Sequence, residues 1–175
     1  MSQPRTRLVL FVLCLTLGLP STLTARTAVA IIPLRGLDQT ADSQNWGYTF
    51  AVLVDDYLKR TKSVRVLSQE SIAGATAADI PLTETAVKLD EIRKVGEEAG
   101  AQMVVWGTCR QHGAGWDVSV QIMSIGSAKP NIVLNVPSAD LLEVSSRCAK
   151  AILGELKIKL TSEQQQALST PATRS

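Results

Sequence analysis

The chain has 175 residues, a length that suits one domain, and its 45% hydrophobic and 19% charged residues exclude an intrinsically disordered protein. It has 18 basic and 16 acidic residues, and Arg5 and Arg7 lie in the first 25 residues, where no acidic residue occurs. The remaining chain is therefore electrically neutral, so it has no field to attract nucleic acid or anionic lipid.

The first 25 residues have the three-part layout of a secretory signal peptide. Two arginines precede the apolar run Leu8–Leu19, Pro20 interrupts it, and small residues lead to a predicted cleavage site after Ala25. The run is shorter than the roughly 20 residues that a membrane-spanning helix needs. We therefore expect an exported protein, in the periplasm or associated with the envelope, with no integral membrane span after cleavage.

The chain after residue 25 begins with a predicted β-α-β pattern. A β-branched apolar run predicts the first strand, a polar loop follows it, and aromatic and aliphatic residues at helical spacing predict the first helix. A second short strand, a helical turn over Ser68–Gly74 and a Thr-rich loop come next. The predicted boundaries are Thr27–Leu34 for the first strand, Trp46–Leu58 for the helix, Val64–Leu67 for the second strand and Ala75–Ala86 for the loop.

The central stretch, Leu89 to Ile125, has the clearest pattern in the sequence. Apolar residues at spacings of three and four predict a helix over Leu89–Ala99, which Gly100 would end in the left-handed conformation. The apolar run Met103–Gly107 predicts a strand covered on both faces. Alternating apolar and polar residues over Trp116–Ile122 predict a strand with one buried face, so the two strands form a hairpin.

The carboxyl-terminal part contains a fifth predicted strand, Asn131–Pro137, and a final helix, Leu141–Leu156. The predicted fold class is α/β, with element order β-α-β-α-β-β-β-α and three helices packed on a mixed five-stranded sheet. The first three strands should be parallel and the last three antiparallel. We assign residues 26–159 to one domain and residues 160–175 to a polar tail.

The sequence offers little covalent chemistry. His112 is the only histidine, and it lies in the predicted hairpin turn, where an exposed turn residue is a better interpretation than a catalytic one. One histidine and widely spaced cysteines do not form a zinc pattern, and Gly96 and Gly100 end a helix instead of beginning a phosphate loop. We predict no catalytic residues, no metal and no cofactor, and hence no enzyme.

Two cysteines, Cys109 and Cys148, remain after the predicted signal peptide. Export to an oxidising compartment permits a disulfide between them. Free cysteine also behaves as a small hydrophobic residue, so two buried thiols are the alternative. Sequence alone leaves both interpretations open, because pairing depends on geometry.

Six residues form the candidate partner or ligand surface. Trp46 and Tyr48, near the start of the first helix, belong either to the core or to an exposed contact patch. Polar residues that follow the first two parallel strands would cluster at their carboxyl ends, where α/β sheets bind ligands. These polar residues are Arg35, Asp38, Ser68 and Glu70.

These patterns together resemble the TolB amino-terminal-like domain. The resemblance covers about residues 27–160 and is carried by Val29–Leu34, the helix around Gly47, Val64–Ser68, and the central stretch with Gly100 and Gly107. Related exported domains occur in FlgO-type flagellar proteins and CsgG-type secretion lipoproteins. The resemblance implies a non-enzymatic envelope module that binds another envelope protein or self-associates. A periplasmic small-ligand-binding or sensory domain is the alternative.

Overall fold

A computed structural model describes residues 26–38, 40–76 and 88–170. The predicted signal peptide and most of the predicted Thr-rich loop lie outside these ranges. The described residues form six strands and five helices in a mixed α/β arrangement. Their boundaries are β1 Ala28–Ile31, β2 Arg35–Gly36, α1 Ala41–Thr61, β3 Arg65–Val66, α2 Gln69–Thr76, α3 Leu89–Glu98, β4 Met103–His112, β5 Gly115–Ser124, β6 Ile132–Ala139, α4 Leu141–Glu155 and α5 Ser162–Ser169.

The strands form one open sheet in the order β3-β1-β4-β5-β6, with β2 paired to β4. β1 is parallel to both β3 and β4, whereas β4, β5 and β6 form an antiparallel meander. The predicted division into parallel and antiparallel strands is therefore confirmed. The predicted counts of five strands and three helices were too low, because β2 and α5 were not predicted and the expected helical turn over residues 68–74 is a separate helix, α2.

Helices cover both faces of the sheet. On one face, the α1/α4 face, Val29, Met103 and Val105 pack with Phe50 and Ile152 in the larger core. On the opposite α2/α3 face, a smaller core joins Ala30, Val104 and Trp106 to Ile72 and Ile92. Successive residues of β1 and β4 thus alternate between two cores, which explains why their sequences are almost continuously apolar.

The ends of the helices follow from local chemistry. The side chain of Thr40 accepts a hydrogen bond from Ser43 N and caps α1 at its amino end, and Lys62 ends α1 in the left-handed conformation with φ 55°. Gly100 has φ 70°, as predicted for the residue that ends the central helix. Among the described residues, no helix combines the length and apolar character needed to cross a membrane.

The segment predicted to be a polar tail contains α5, which packs on the domain. Leu168 is 1% exposed and lies in the larger core. Gln164 Nε2 donates to the Thr61 carbonyl at 2.6 Å, and Ser146 Oγ donates to the Leu168 carbonyl at 2.9 Å. The sequence analysis missed α5 because a single buried leucine in a helix of about two turns gives no detectable periodicity.

Candidate functional site

Four of the six predicted surface residues lie at one end of the sheet. After β1, the chain continues along β4, with Arg35 in register with Thr108 and Gly36 with Cys109. It then reaches the tip of the β4–β5 hairpin, where α1 begins. We call this region the hairpin-end surface; it comprises residues 35–38, residues 41–52 of α1 and the hairpin tip, residues 110–117.

Asp38 fastens the loop before α1 to the hairpin. Its Oδ2 accepts a hydrogen bond from the backbone N–H of Gln111 at 3.5 Å. Its Oδ1 accepts from the backbone N–H of Thr40 at 3.4 Å and from the Thr40 hydroxyl at 3.3 Å. The hydroxyl of Thr40 in turn accepts from Ser43 N, so one carboxylate supports both the hairpin and the helix cap.

Neighbouring hydroxyl and backbone N–H groups stabilise the charged form of Asp38. The hydroxyl of Ser43 has the largest effect, and with the backbone N–H groups of Thr40 and Gln111 it holds the pKa of Asp38 below its ordinary value, against a smaller opposing effect of burial. Asp38 is exposed, yet its oxygens are occupied by the protein's own donors. It therefore acts as a structural fastening, and it is a poor candidate for general acid–base catalysis.

Trp46 and Tyr48 have different environments. Trp46 is half-buried and stacks against Trp116, with ring centroids 5.1 Å apart, and against Phe50 at 6.5 Å. Tyr48 is 54% exposed, and Val52, one turn further along α1, is 48% exposed. The core interpretation thus describes Trp46 and the exposed interpretation describes Tyr48.

The outward face of α1 therefore presents an aromatic and an aliphatic side chain at i and i+4, which are neighbours on a helix surface. Leu37, at the start of this region, is 44% exposed, and its N–H donates to the Cys109 carbonyl at 2.8 Å. The sequence analysis did not single out Leu37, Val52 or Trp116. Of these three, only Val52 had a signal in the sequence: it lies four residues after Tyr48, which places the two side chains on one face of the helix.

Ser68 and Glu70 do not join the hairpin-end surface. Gln69 Nε2 donates to the Ile31 carbonyl at 3.0 Å, which places the start of α2 beside the end of β1. Ile31 is in register with Val105, whereas Asp38 bonds Gln111, about 20 Å further along β4 at the usual rise per residue. The four predicted polar residues do not all come together, because the chain runs along β4 through β2 and carries Asp38 away from the end of β1.

The hairpin tip carries the histidine. His112 Nδ1 lies 3.3 Å from Asp117 Oδ2, and Arg110 approaches the same carboxylate oxygen at 3.7 Å. The side chain of His112 is 73% exposed, whereas Cys109 is buried in the larger core. The two side chains face different environments and do not form a nucleophile–base pair.

Both described cysteines are free, buried thiols. Burial, with a contribution from the charge of Asp38, raises the pKa of Cys109 to about 12, and burial raises the pKa of Cys148 further. The Cys109 thiol donates to the Ser43 carbonyl at 3.5 Å. Within residues 26–38, 40–76 and 88–170, no group of three or more His, Cys, Asp or Glu side chains has a metal-binding arrangement.

Comparison with solved structures identifies the fold. TolB from Acinetobacter baumannii superposes with a TM-score of 0.51 at 18% sequence identity, over 78% of this chain and 29% of the TolB chain. The chain has a TolB-like fold. It spans less than a third of the TolB chain it matches. No protein-family model and no curated protein sequence matches the chain.

Two other bacterial proteins give weaker superpositions on this chain. The carboxyl-terminal domain of LpoB from Salmonella enterica has a TM-score of 0.44 at 11% identity, over 66% of this chain and 84% of that domain. Lipoprotein GNA1162 from Neisseria meningitidis also has a TM-score of 0.44 at 11% identity, over 77% of this chain and 99% of its own. The resemblance to FlgO-type and CsgG-type domains stays a prediction.

Proposed function

We propose that this chain is an exported, non-enzymatic module of the bacterial cell envelope that binds another protein through the hairpin-end surface. The observation that carries the proposal is the outward face of α1, where Tyr48 and Val52 are each about half exposed on a helix capped at its amino end. Tyrosine is among the residues that contribute most to binding at protein interfaces. Export is supported by the signal-like first 25 residues, and the envelope assignment by the resemblance to TolB-type domains.

The chemistry of the region supports binding over catalysis. The Cys109 thiol is buried and protonated, His112 is directed to Asp117, and the oxygens of Asp38 are occupied by backbone and hydroxyl donors. None of these groups is positioned to activate a nucleophile. The same surface has fixed backbone geometry, since Asp38 and the Trp46–Trp116 stack join α1 to the hairpin, and such preorganisation favours tight binding.

The small-ligand alternative has less support. It requires Arg35, Asp38, Ser68 and Glu70 to converge. The start of α2, with Ser68, lies level with Val105 of β4, whereas Asp38 bonds Gln111, about 20 Å further along the strand. We therefore place protein binding first.

Site-specific photo-cross-linking in the native cell tests the proposal. A photoreactive phenylalanine analogue replaces Val52 in the full chain, and the control carries it at Gln165, an exposed position on α5. We expect one envelope protein to be attached reproducibly at position 52, not at position 165, and attachment to be lost with Tyr48→Ala. No adduct at position 52, or equal adducts at both positions, would overturn the binding assignment. Recovery of the chain from the cytoplasm with residues 1–25 attached would overturn export.

A further inference from the structure

β6 forms one edge of the sheet. In the strand order it pairs only with β5, and no other strand of the described residues lies beyond it. The opposite edge, β3, is only two residues long, whereas β6 has eight. A long edge strand presents a row of backbone donors and acceptors to which another strand can bind.

β6 lacks the charges that usually protect an edge. Its sequence, IVLNVPSA, contains no charged residue. Pro137 lies in the irregular part of the strand, where the register with β5 shifts, so the straight part is Ile132–Val136. Val133 is 54% exposed on the α2/α3 face, where the neighbouring Asn135 is also exposed. Within the part of the chain that the structure describes, the straight part of the strand is therefore open both along its backbone edge and on one of its faces.

We propose that a second copy of this chain occupies this edge, with β6 pairing antiparallel to β6 of the partner about a two-fold axis at Leu134. In an antiparallel sheet, residues opposite each other point to the same face. The two-fold axis must therefore lie between two copies of the same residue. An axis at Leu134 uses the whole straight part of the strand. It pairs Ile132 with the partner's Val136 on the α1/α4 face and Val133 with the partner's Asn135 on the open face.

The charges that flank β6 favour this antiparallel arrangement. Lys129 precedes the strand and Asp140 follows it, and both are exposed. Antiparallel pairing brings the end of β6 that Lys129 precedes to the end of the partner's β6 that Asp140 follows, at both ends of the interface. Parallel pairing would instead place lysine beside lysine and aspartate beside aspartate. Opposite charges at the ends and an uncharged centre thus select a second copy in the antiparallel direction.

Two double variants that change the same positions test the pairing. In Val133→Lys/Asn135→Lys, each introduced lysine faces another lysine across the axis. In Val133→Lys/Asn135→Glu, each introduced lysine faces an introduced glutamate. Both positions are exposed, so we expect both variants to fold, which circular dichroism and thermal unfolding would check. The full chain, purified as the cell processes it, is measured by sedimentation equilibrium across a concentration series.

We expect the parent to be a dimer, the lysine/lysine variant to dimerise roughly 100-fold more weakly, and the lysine/glutamate variant to recover the dimer. Gln165→Lys, at an exposed position on α5, should leave dimerisation unchanged. A monomeric parent at every concentration would overturn the proposal. So would a dimer that the lysine/lysine variant retains, because the interface would then lie elsewhere.

A cross-linking variant locates the axis. Cys109 and Cys148 are buried, whereas Leu134 is only partly buried, so Leu134→Cys supplies the less buried thiol, on the proposed axis. Residues opposite each other in a sheet are close enough for a disulfide, so we expect mild oxidation to give a covalent dimer. A mixed disulfide with a different envelope protein would assign the edge to another occupant and overturn the proposal. This inference uses no residue of the hairpin-end surface, so photo-cross-linking at position 52 succeeds or fails separately.

Discussion

The indole rings of Trp46 and Trp116 stack with their centroids 5.1 Å apart and an interplanar angle of 26°. The pair joins the second turn of α1 to the beginning of β5, two elements that are far apart in the sequence. Both side chains are half-buried against the larger core. The stack therefore fixes the position of the α1 face that carries Tyr48 and Val52.

Trp116→Ala should destabilise the protein by about 2 kcal/mol, because it removes the stack and part of the apolar cover of the core. Urea denaturation followed by circular dichroism would measure the change. Trp116→Phe keeps an aromatic ring and should lose about half as much. A Trp116→Ala protein as stable as the parent would show that the stack does not hold α1 in place.

Gly47→Ala should destabilise the protein by about 3 kcal/mol. A β-carbon at Gly47 would overlap the carbonyl oxygen of Leu34, and this backbone atom has no rotamer through which to move aside. Gly154 is the matched control, because it also lies in a helix but a β-carbon there would meet nothing within 4 Å. Gly154→Ala should therefore be neutral or stabilise the protein by up to about 1 kcal/mol. Equal effects in the two variants would contradict the close contact between α1 and Leu34.

Leu168→Ala should cost about 3 kcal/mol, because Leu168 is 1% exposed and its truncation leaves a cavity where α5 meets the larger core. Leu37→Ala, at a leucine that is 44% exposed, should change stability by less than about 1 kcal/mol. Chemical denaturation measures both. A neutral Leu168→Ala would mean that α5 does not contribute to the fold.

Because of Asp38, the stability of the protein should depend on pH in the acidic range. Folding lowers its pKa below the ordinary value of 3.8, so the carboxylate stabilises the fold above that pH. The contribution is lost as the pH falls through the lower pKa of the folded state. Thermal unfolding of the parent and of Asp38→Asn, compared across this range, should give a smaller fall in melting temperature for the variant. Parallel curves for the two proteins would argue against the fastening role of Asp38.

The thiols of Cys109 and Cys148 should resist a thiol reagent at neutral pH in the native protein and react after denaturation. Burial raises the pKa of both groups, so the reactive thiolate is scarce and shielded from solvent. Colorimetric titration of free thiols before and after denaturation measures this. Failure to find both thiols in the denatured, unreduced protein would support the disulfide alternative instead.

The sequence predicted most of the fold where periodicity was strong. Gly100, the alternation of β5 and the apolar run of β4 identified the centre of the sheet, and the predicted parallel and antiparallel pairings are confirmed. β2 was missed because two residues have no period. Its pairing with β4 depends on a contact between residues distant in sequence, and a local pattern does not encode such a contact.

The candidate site was predicted less well for the same reason. Polar residues after β1 and β3 were expected to share one edge, but β2 redirects the chain and separates Asp38 from Ser68. The sequence left Trp46 and Tyr48 each with two interpretations, core or exposed patch, and the partner of Trp46, Trp116, could not be inferred, because stacking depends on how α1 crosses the sheet. The exposure of Tyr48 likewise depends on which face of α1 meets the core.

The position of β1 between β3 and β4 also bears on the order in which the chain can fold during synthesis. The residue that begins this central strand bonds Gln102, which is 74 residues later in the chain. β1 therefore cannot pair with β4 until most of the polypeptide has been synthesised. β4, β5 and β6 are joined by short connections and can pair soon after synthesis. We expect folding to start in the carboxyl-terminal half, so the earlier part of the nascent chain stays extended and can still thread through a narrow channel.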